Sequence, residues 1–144
     1  MHAKLGCALI GILFLGAGEA TDAKKETAKF QGTWELSALT FNGDEEKLKF
    51  KIAFKDDEGV VKGNDKVADE YAKIKFKLDP AGKLKNIDIT VTGGTQTDSA
   101  MKGIYEFKNG ELHICAKVFG DGRPSEFSAP EGSNIVLLVL KKVP

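Results

Sequence analysis

An all-β domain built from antiparallel hairpins is what this sequence predicts, and three observations predict it. Apolar and polar residues alternate through much of the chain: Leu48, Phe50, Ile52 and Phe54 with Lys47, Lys49, Lys51 and Lys55, then Ala72, Ile74, Phe76 and Leu78 with Lys73, Lys75 and Lys77. A period of two puts one set of side chains against a core and the other in water. Turn-forming clusters (Asn42-Gly43-Asp44, Asp56-Asp57-Glu58-Gly59, Gly63-Asn64-Asp65, Asp79-Pro80-Ala81-Gly82, Gly93-Gly94) recur at hairpin spacing. No long helical period occurs after residue 20. About eight short strands in that layout make an antiparallel sandwich or barrel, and closure removes exposed edges.

The N-terminus reads as an address. Met1-His2-Ala3-Lys4 is a short basic start, and Leu5 to Leu15 is an apolar run too short to span a bilayer comfortably. Gly18 and Ala20 then stand at the −3 and −1 positions of a cut after Ala20. The expected division is a signal peptide over 1–20, a polar lead-in over 21–29 with at most a short helical turn, and a β domain over 30–144. The expected location is periplasmic or extracellular. Cleavage removes Cys7 and leaves Cys115 alone, so no intramolecular disulfide is expected and the fold must stand on its core.

The strands follow in order. Trp34 to Phe41 opens the domain, with Trp34, Leu36 and Ala38 on one face, and the lysine-alternating strand through Leu48 and Phe54 comes next. A short Val60-Val61 piece, the strand through Ile74 and Phe76, and the alternation Ile87, Ile89, Val91 lead to the clearest hairpin in the chain. There Asn109-Gly110 sits between two alternating segments and favours a two-residue type I′ turn. That turn sets Lys108 opposite Glu111, Phe107 opposite Leu112, Glu106 opposite His113 and Tyr105 opposite Ile114. Tyr105, Phe107, Leu112, Ile114 and Ala116 then face the core, while Glu106, Lys108, Glu111 and His113 face outward with Cys115. Ser125 to Ser128 reads as a short strand. The last strand, Ile135 to Leu140, is apolar on both faces, which requires a second cover, either the N-terminal segment or another copy of the chain.

Charge narrows the function. Lys+Arg 21 balance Asp+Glu 21, and Arg123 is the one arginine. A neutral, lysine-dominated surface lacks the guanidinium forks that read phosphates and base edges, so nucleic acid is not an expected partner.

Gly32-Thr33-Trp34 at the mouth of the first strand resembles the Gly-x-Trp signature of lipocalin-like proteins. The wider set, Gln31 to Trp34, Leu78-Asp79-Pro80, Ile87 to Thr90, Gly103-Ile104-Tyr105-Glu106, Leu112 to Cys115, Arg123-Pro124 with Phe127, and the apolar strand Ile135 to Lys142, is similar to a planctomycete family of uncharacterised secreted domains whose members resemble lipocalins. The resemblance spans the domain after the leader and implies an up-and-down β-barrel of lipocalin type. It brings no established activity. It also implies that Trp34 plugs one end of the barrel beneath a cation near the last strand. Lys141 or Lys142 stands there in place of the usual arginine, and Arg123 is the alternative.

Geometry limits the candidate chemistry. Cys115, His113 and Glu106 share a face, yet side chains two apart on a strand stand parallel, roughly 6.5–7 Å apart at Cα, and do not aim at one another. A cross-strand Glu–His pair and a structural thiol are expected instead, with no catalytic residue. One histidine and one cysteine after the leader do not make a zinc site, and the acidic turns lack the alternating ligands of a calcium loop, so neither a metal nor a cofactor is expected. The lysine rows read as solvent faces that discourage edge pairing. Any ligand must sit among the inward aromatics Trp34, Phe50, Phe54, Phe76, Tyr105 and Phe107, of which Tyr105 offers a hydroxyl. A set rich in phenylalanine and isoleucine favours a filled core. The expected function is a non-catalytic structural or interaction module, with a carrier of a small apolar ligand as the alternative.

Overall fold

The computed structural model describes residues 22–63, 70–94 and 99–144. The leader expected over 1–20 and its cut after Ala20 lie outside the described residues, as do Asn64 and Asp65 of one expected turn.

Residues 22–30 form a helix, α1. Nine strands follow: β1 (Gly32–Phe41), β2 (Asp44–Glu46), β3 (Lys51–Lys55), β4 (Glu58–Lys62), β5 (Glu70–Asp79), β6 (Lys85–Gly94), β7 (Ala100–Lys108), β8 (Glu111–Lys117) and β9 (Ile135–Lys142). Every pairing is antiparallel, and from β3 to β9 each strand pairs with the next in sequence. β1 pairs with both β3 and β9, which closes eight strands into a lipocalin-like up-and-down barrel. β2 is the additional strand, laid against the far half of β1.

The β7–β8 hairpin has the register its turn predicts. Phe107 opposes Leu112, Glu106 opposes His113 and Tyr105 opposes Ile114. Asn109 and Gly110 take φ of 54° and 77°, as a type I′ turn requires. Gly103 on β7 answers a different need. A Cβ there would lie 2.6 Å from the carbonyl oxygen of Cys115, so only glycine permits this approach of β7 to β8.

Four expectations are corrected. The lead-in is a full helix, not a single turn, because its lysines, alanines and Glu26 are good helix formers and Phe30 gives it an apolar anchor. In β1 a bulge between Leu36 and Ala38 shifts the alternation, so Leu39 and Phe41 take the inward positions that Ala38 was expected to continue. The lysine-alternating strand is interrupted at residues 47–50, leaving Leu48 outside while Phe50 packs against the core. Ser125 to Ser128 is not a strand. Residues 118–134 instead run over the outside of the barrel: Arg123 reaches the carbonyls of Gly103 and Ile87, the Cys115 thiol faces the carbonyls of Glu126 and Ser128, and Ala129 accepts from the Gly43 amide. The strap thus passes from Cys115 on β8 to Gly43 at the β1–β2 turn, while the outward Leu137 and Val139 of β9 stay partly buried.

Candidate functional site

The strand directions define two ends. At one, α1 lies over the β7–β8 and β3–β4 turns; at the other stand the β1–β2 turn and the starts of β7 and β9. The two ends are built differently.

The α1 end is solid, and its centre is Phe30. Fully buried, this ring stacks on Phe76 with centroids 5.1 Å apart and meets Phe54, Tyr105 and Phe107 edge-on at 5.4, 5.2 and 5.4 Å. Edge-to-face and offset contacts at such distances suit the quadrupoles of the rings. Of the six residues expected to line a ligand site, Phe54, Phe76, Tyr105 and Phe107 therefore surround Phe30. Trp34 joins them through Phe107, 6.2 Å away, and donates its indole N–H to the Phe30 carbonyl at 2.6 Å. Phe50 lies apart, half-buried against the core.

The carbonyls at the end of α1, which no helical turn follows, find partners in the barrel. The Trp34 indole takes that of Phe30, the Gln31 side-chain amide takes that of Thr27, and the Lys142 ammonium takes that of Gln31. Gln31 also exchanges two hydrogen bonds with the backbone of Asp56 on the β3–β4 turn. The Lys142 ammonium stands 5.3 Å from the centre of the Trp34 ring, so Lys142 is the cation that covers the plug. Lys142 opposes Trp34 in the β1–β9 register. Lys141, one residue earlier, faces outward between Glu35 and Glu111, and Arg123 is committed to the strap through an ion pair to Asp88 at 2.7 Å.

Glu26 fastens the helix to the wall. Its side chain is among the few charged ones taken out of water, the residue being 6% exposed. The carboxylate accepts from Lys29 at 2.7 Å, Lys85 at 2.9 Å and the Tyr105 hydroxyl at 2.9 Å. Burial by itself raises its pKa, but those three donors and the Lys85 charge outweigh burial and hold it below the ordinary value. Burial and the same carboxylate push the Tyr105 phenol far above its usual range, so it is a permanent donor. The polar group that Tyr105 was expected to offer a ligand is therefore engaged by Glu26. Neither Glu26 nor Phe30 was singled out as a site residue by the sequence reading. The available signal was their spacing of four, which puts a carboxylate and an aromatic on one face of a helix.

The other end carries mostly aliphatic side chains, with Phe41 the aromatic among them. Phe41, Val61, Ile74, Met101, Val136 and Leu138 point inward yet are only partly buried, beside the small Gly103 and Ala116. None of these side chains offers a hydrogen bond or a charge. A separate crevice of about 860 Å³ runs outside the barrel along the flank of α1, past Thr27, Gln31, Asp57, Lys75, Lys77 and Thr90.

On the outer face of the hairpin, His113 stands between two acids, 3.2 Å from Glu111 and 3.7 Å from Glu106. Cys115 is buried under the strap, and its thiol pKa is raised, chiefly by burial. The thiol thus faces strap carbonyls while the imidazole faces carboxylates. Among the described residues no cluster of three or more metal-ligating side chains occurs, and no helix is long and apolar enough to cross a membrane. Set against protein families, curated proteins and solved structures, the chain matches none.

Proposed function

We propose that this chain is an exported, non-catalytic lipocalin-like barrel that carries a small apolar ligand in the half remote from α1. One observation carries the reading: six inward apolar side chains in that half, Phe41, Val61, Ile74, Met101, Val136 and Leu138, remain partly exposed although they face the barrel axis. Apolar surface held on a rigid wall and left partly exposed is what an apolar ligand covers. The lining has no polar anchor, so selection is by size and shape, and any polar head of the ligand stays at the mouth. The aromatic half is not part of the cavity, since Phe30 takes the space a ligand would need. That solidity also favours the second reading, a structural or interaction module acting through its outer surface.

The test is uptake of a small fluorescent aromatic amine such as 1-aminoanthracene, competed with medium-chain alcohols. Saturable uptake that competitors reverse is expected, with Met101→Trp weakening it about tenfold or more by filling the cavity. Because Met101 is only partly buried, the same variant is expected to melt close to the parent. Absence of saturable uptake, or uptake indifferent to Met101→Trp, leaves the module reading in place. Trp34 fluorescence is a poor reporter here, because its ring is packed in the filled half.

A further inference from the structure

We infer that the open end of the barrel docks on a lipid surface, an inference that rests on the carrier reading and names the partner with which the ligand is exchanged. Among the described residues three large apolar side chains are exposed: Leu48 at 54%, Phe119 at 59% and Leu84 at 38%. The two most exposed belong to the open half. Phe119 opens the strap just after β8 and stands edge-on to Phe41, 6.4 Å away, so its ring continues the apolar lining from the interior to the rim. Leu48 lies in the 47–50 interruption, where the wall between β2 and β3 loses its regular pairing and Phe50 turns in toward the core.

Leu48 is bracketed by lysines, and Phe119 has lysines on its β8 side. Lys47 and Lys49 are exposed on either side of Leu48. Lys117 precedes Phe119 by two residues and stands directly across from Lys102 in the β7–β8 register. None of the four makes an ion pair with a described residue. Lys102 stands between Lys117 on β8 and Asp88 on β6, and Asp88 is taken by Arg123, so the two lysines can meet an anion from outside. An apolar tip beside ammonium groups suits the boundary of a bilayer, where the tip enters the acyl region and the ammonium groups meet phosphates. A protein partner would ask for something else, one contiguous desolvated patch depleted of lysine. Here the exposed acids of β2, Asp44 to Glu46, stand beside Lys47 and divide the rim. They also limit the electrostatic attraction, so attachment is shallow and reversible rather than an insertion.

The experiment is co-sedimentation of the full exported chain with phosphatidylcholine vesicles, with and without about a third of phosphatidylglycerol, at two salt concentrations. Binding is expected to rise with the anionic lipid and to fall with salt. Leu48→Ser with Phe119→Ser should reduce it about tenfold or more. Lys102→Gln with Lys117→Gln should reduce it about two- to fivefold and flatten its salt dependence. Leu48, Phe119 and Lys102 are exposed and Lys117 partly so; melts and circular dichroism close to the parent are expected and separate docking from folding. Uptake of 1-aminoanthracene in vesicle-free buffer should be unaltered in Leu48→Ser alone and in the Lys102→Gln, Lys117→Gln variant. No binding to either vesicle, or binding that survives the serine pair, overturns the docking while leaving uptake to speak for the carrier reading. Docking that persists in a chain without saturable uptake overturns the carrier reading alone.

Discussion

The two halves of this barrel are made from the same strands but not from the same kinds of contact. Around Phe30 the interior is a cluster of rings, closed by the Trp34–Lys142 pair and fastened by the buried carboxylate of Glu26. Toward the other end the same strands present Val61, Ile74, Met101, Val136 and Leu138, none of them fully covered. The helix makes the difference. It fills one mouth with a side chain from outside the sheet, and no described element does so at the other. Tight packing is therefore concentrated at one end, and partly exposed apolar surface at the other.

The largest expected effect tests that division at its centre. Phe30→Ala should cost about 3–5 kcal/mol, as for a fully buried aromatic, whereas Leu138→Ala should cost no more than about half as much because its site is already part-exposed. Urea unfolding of both variants decides the matter, and equal costs would erase the distinction between the halves. Overpacking probes it in the other direction. Ile89→Trp, at a buried position, should cost about 1–3 kcal/mol, while Ile74→Trp at its half-buried site should cost distinctly less and obstruct uptake.

Acid sharpens the comparison at the helix. A carboxyl whose folded pKa lies below its unfolded value, ordinarily about 4.3, contributes stability that is fully present above that value and is lost as pH falls through the folded one. Glu26→Gln should therefore cost about 1–3 kcal/mol at neutral pH, with the gap to the parent closing on acidification below pH ~4. A constant gap across that range would mean that the charge of Glu26 is not what holds α1.

The smallest effects separate neighbours. Lys142→Ala should cost about 0.5–1.5 kcal/mol through the loss of the Trp34 contact and the Gln31 hydrogen bond, and Lys141→Ala should stay within about 0.5 kcal/mol. Equal melts for the two would remove Lys142 from the closure. On the outside, Arg123→Ala should loosen the strap and speed labelling of the Cys115 thiol by a maleimide, with little change in global stability.

Strand alternation was legible because a period of two admits few other readings, and the β7–β8 register was legible to the residue because Asn109-Gly110 fixes the loop length. What escaped was non-periodic. A bulge at Leu36/Ala38 leaves no mark in composition, yet it turns Leu39 and Phe41 inward. The strap of residues 118–134 has loop chemistry, and its role depends on Arg123 finding two carbonyls and an aspartate on β6 and β7. The helix was underestimated because a stretch of about nine residues is marginal alone, and its stability comes from Phe30 and Glu26 meeting a barrel that local sequence does not reveal. Lys141 and Lys142 differ only in parity at the end of a strand that is apolar on both faces, so the alternation that identifies faces elsewhere is silent there.

The pairing of β1 with β9 also dictates when the molecule can become itself. Phe30 and Trp34 lie near the start of the described chain and Leu140 and Lys142 near its end, so the contacts that finish the core span almost its whole length. Neighbouring strands can pair as hairpins early, but a growing chain still lacking β9 leaves β1 and β8 with open edges and the Trp34 plug uncovered. Such long-range closure is slow relative to local pairing, because the loop entropy is lost before the contacts repay it. A polypeptide with this topology keeps open edges until Ile135 to Lys142 are free to pair with β1 and β8.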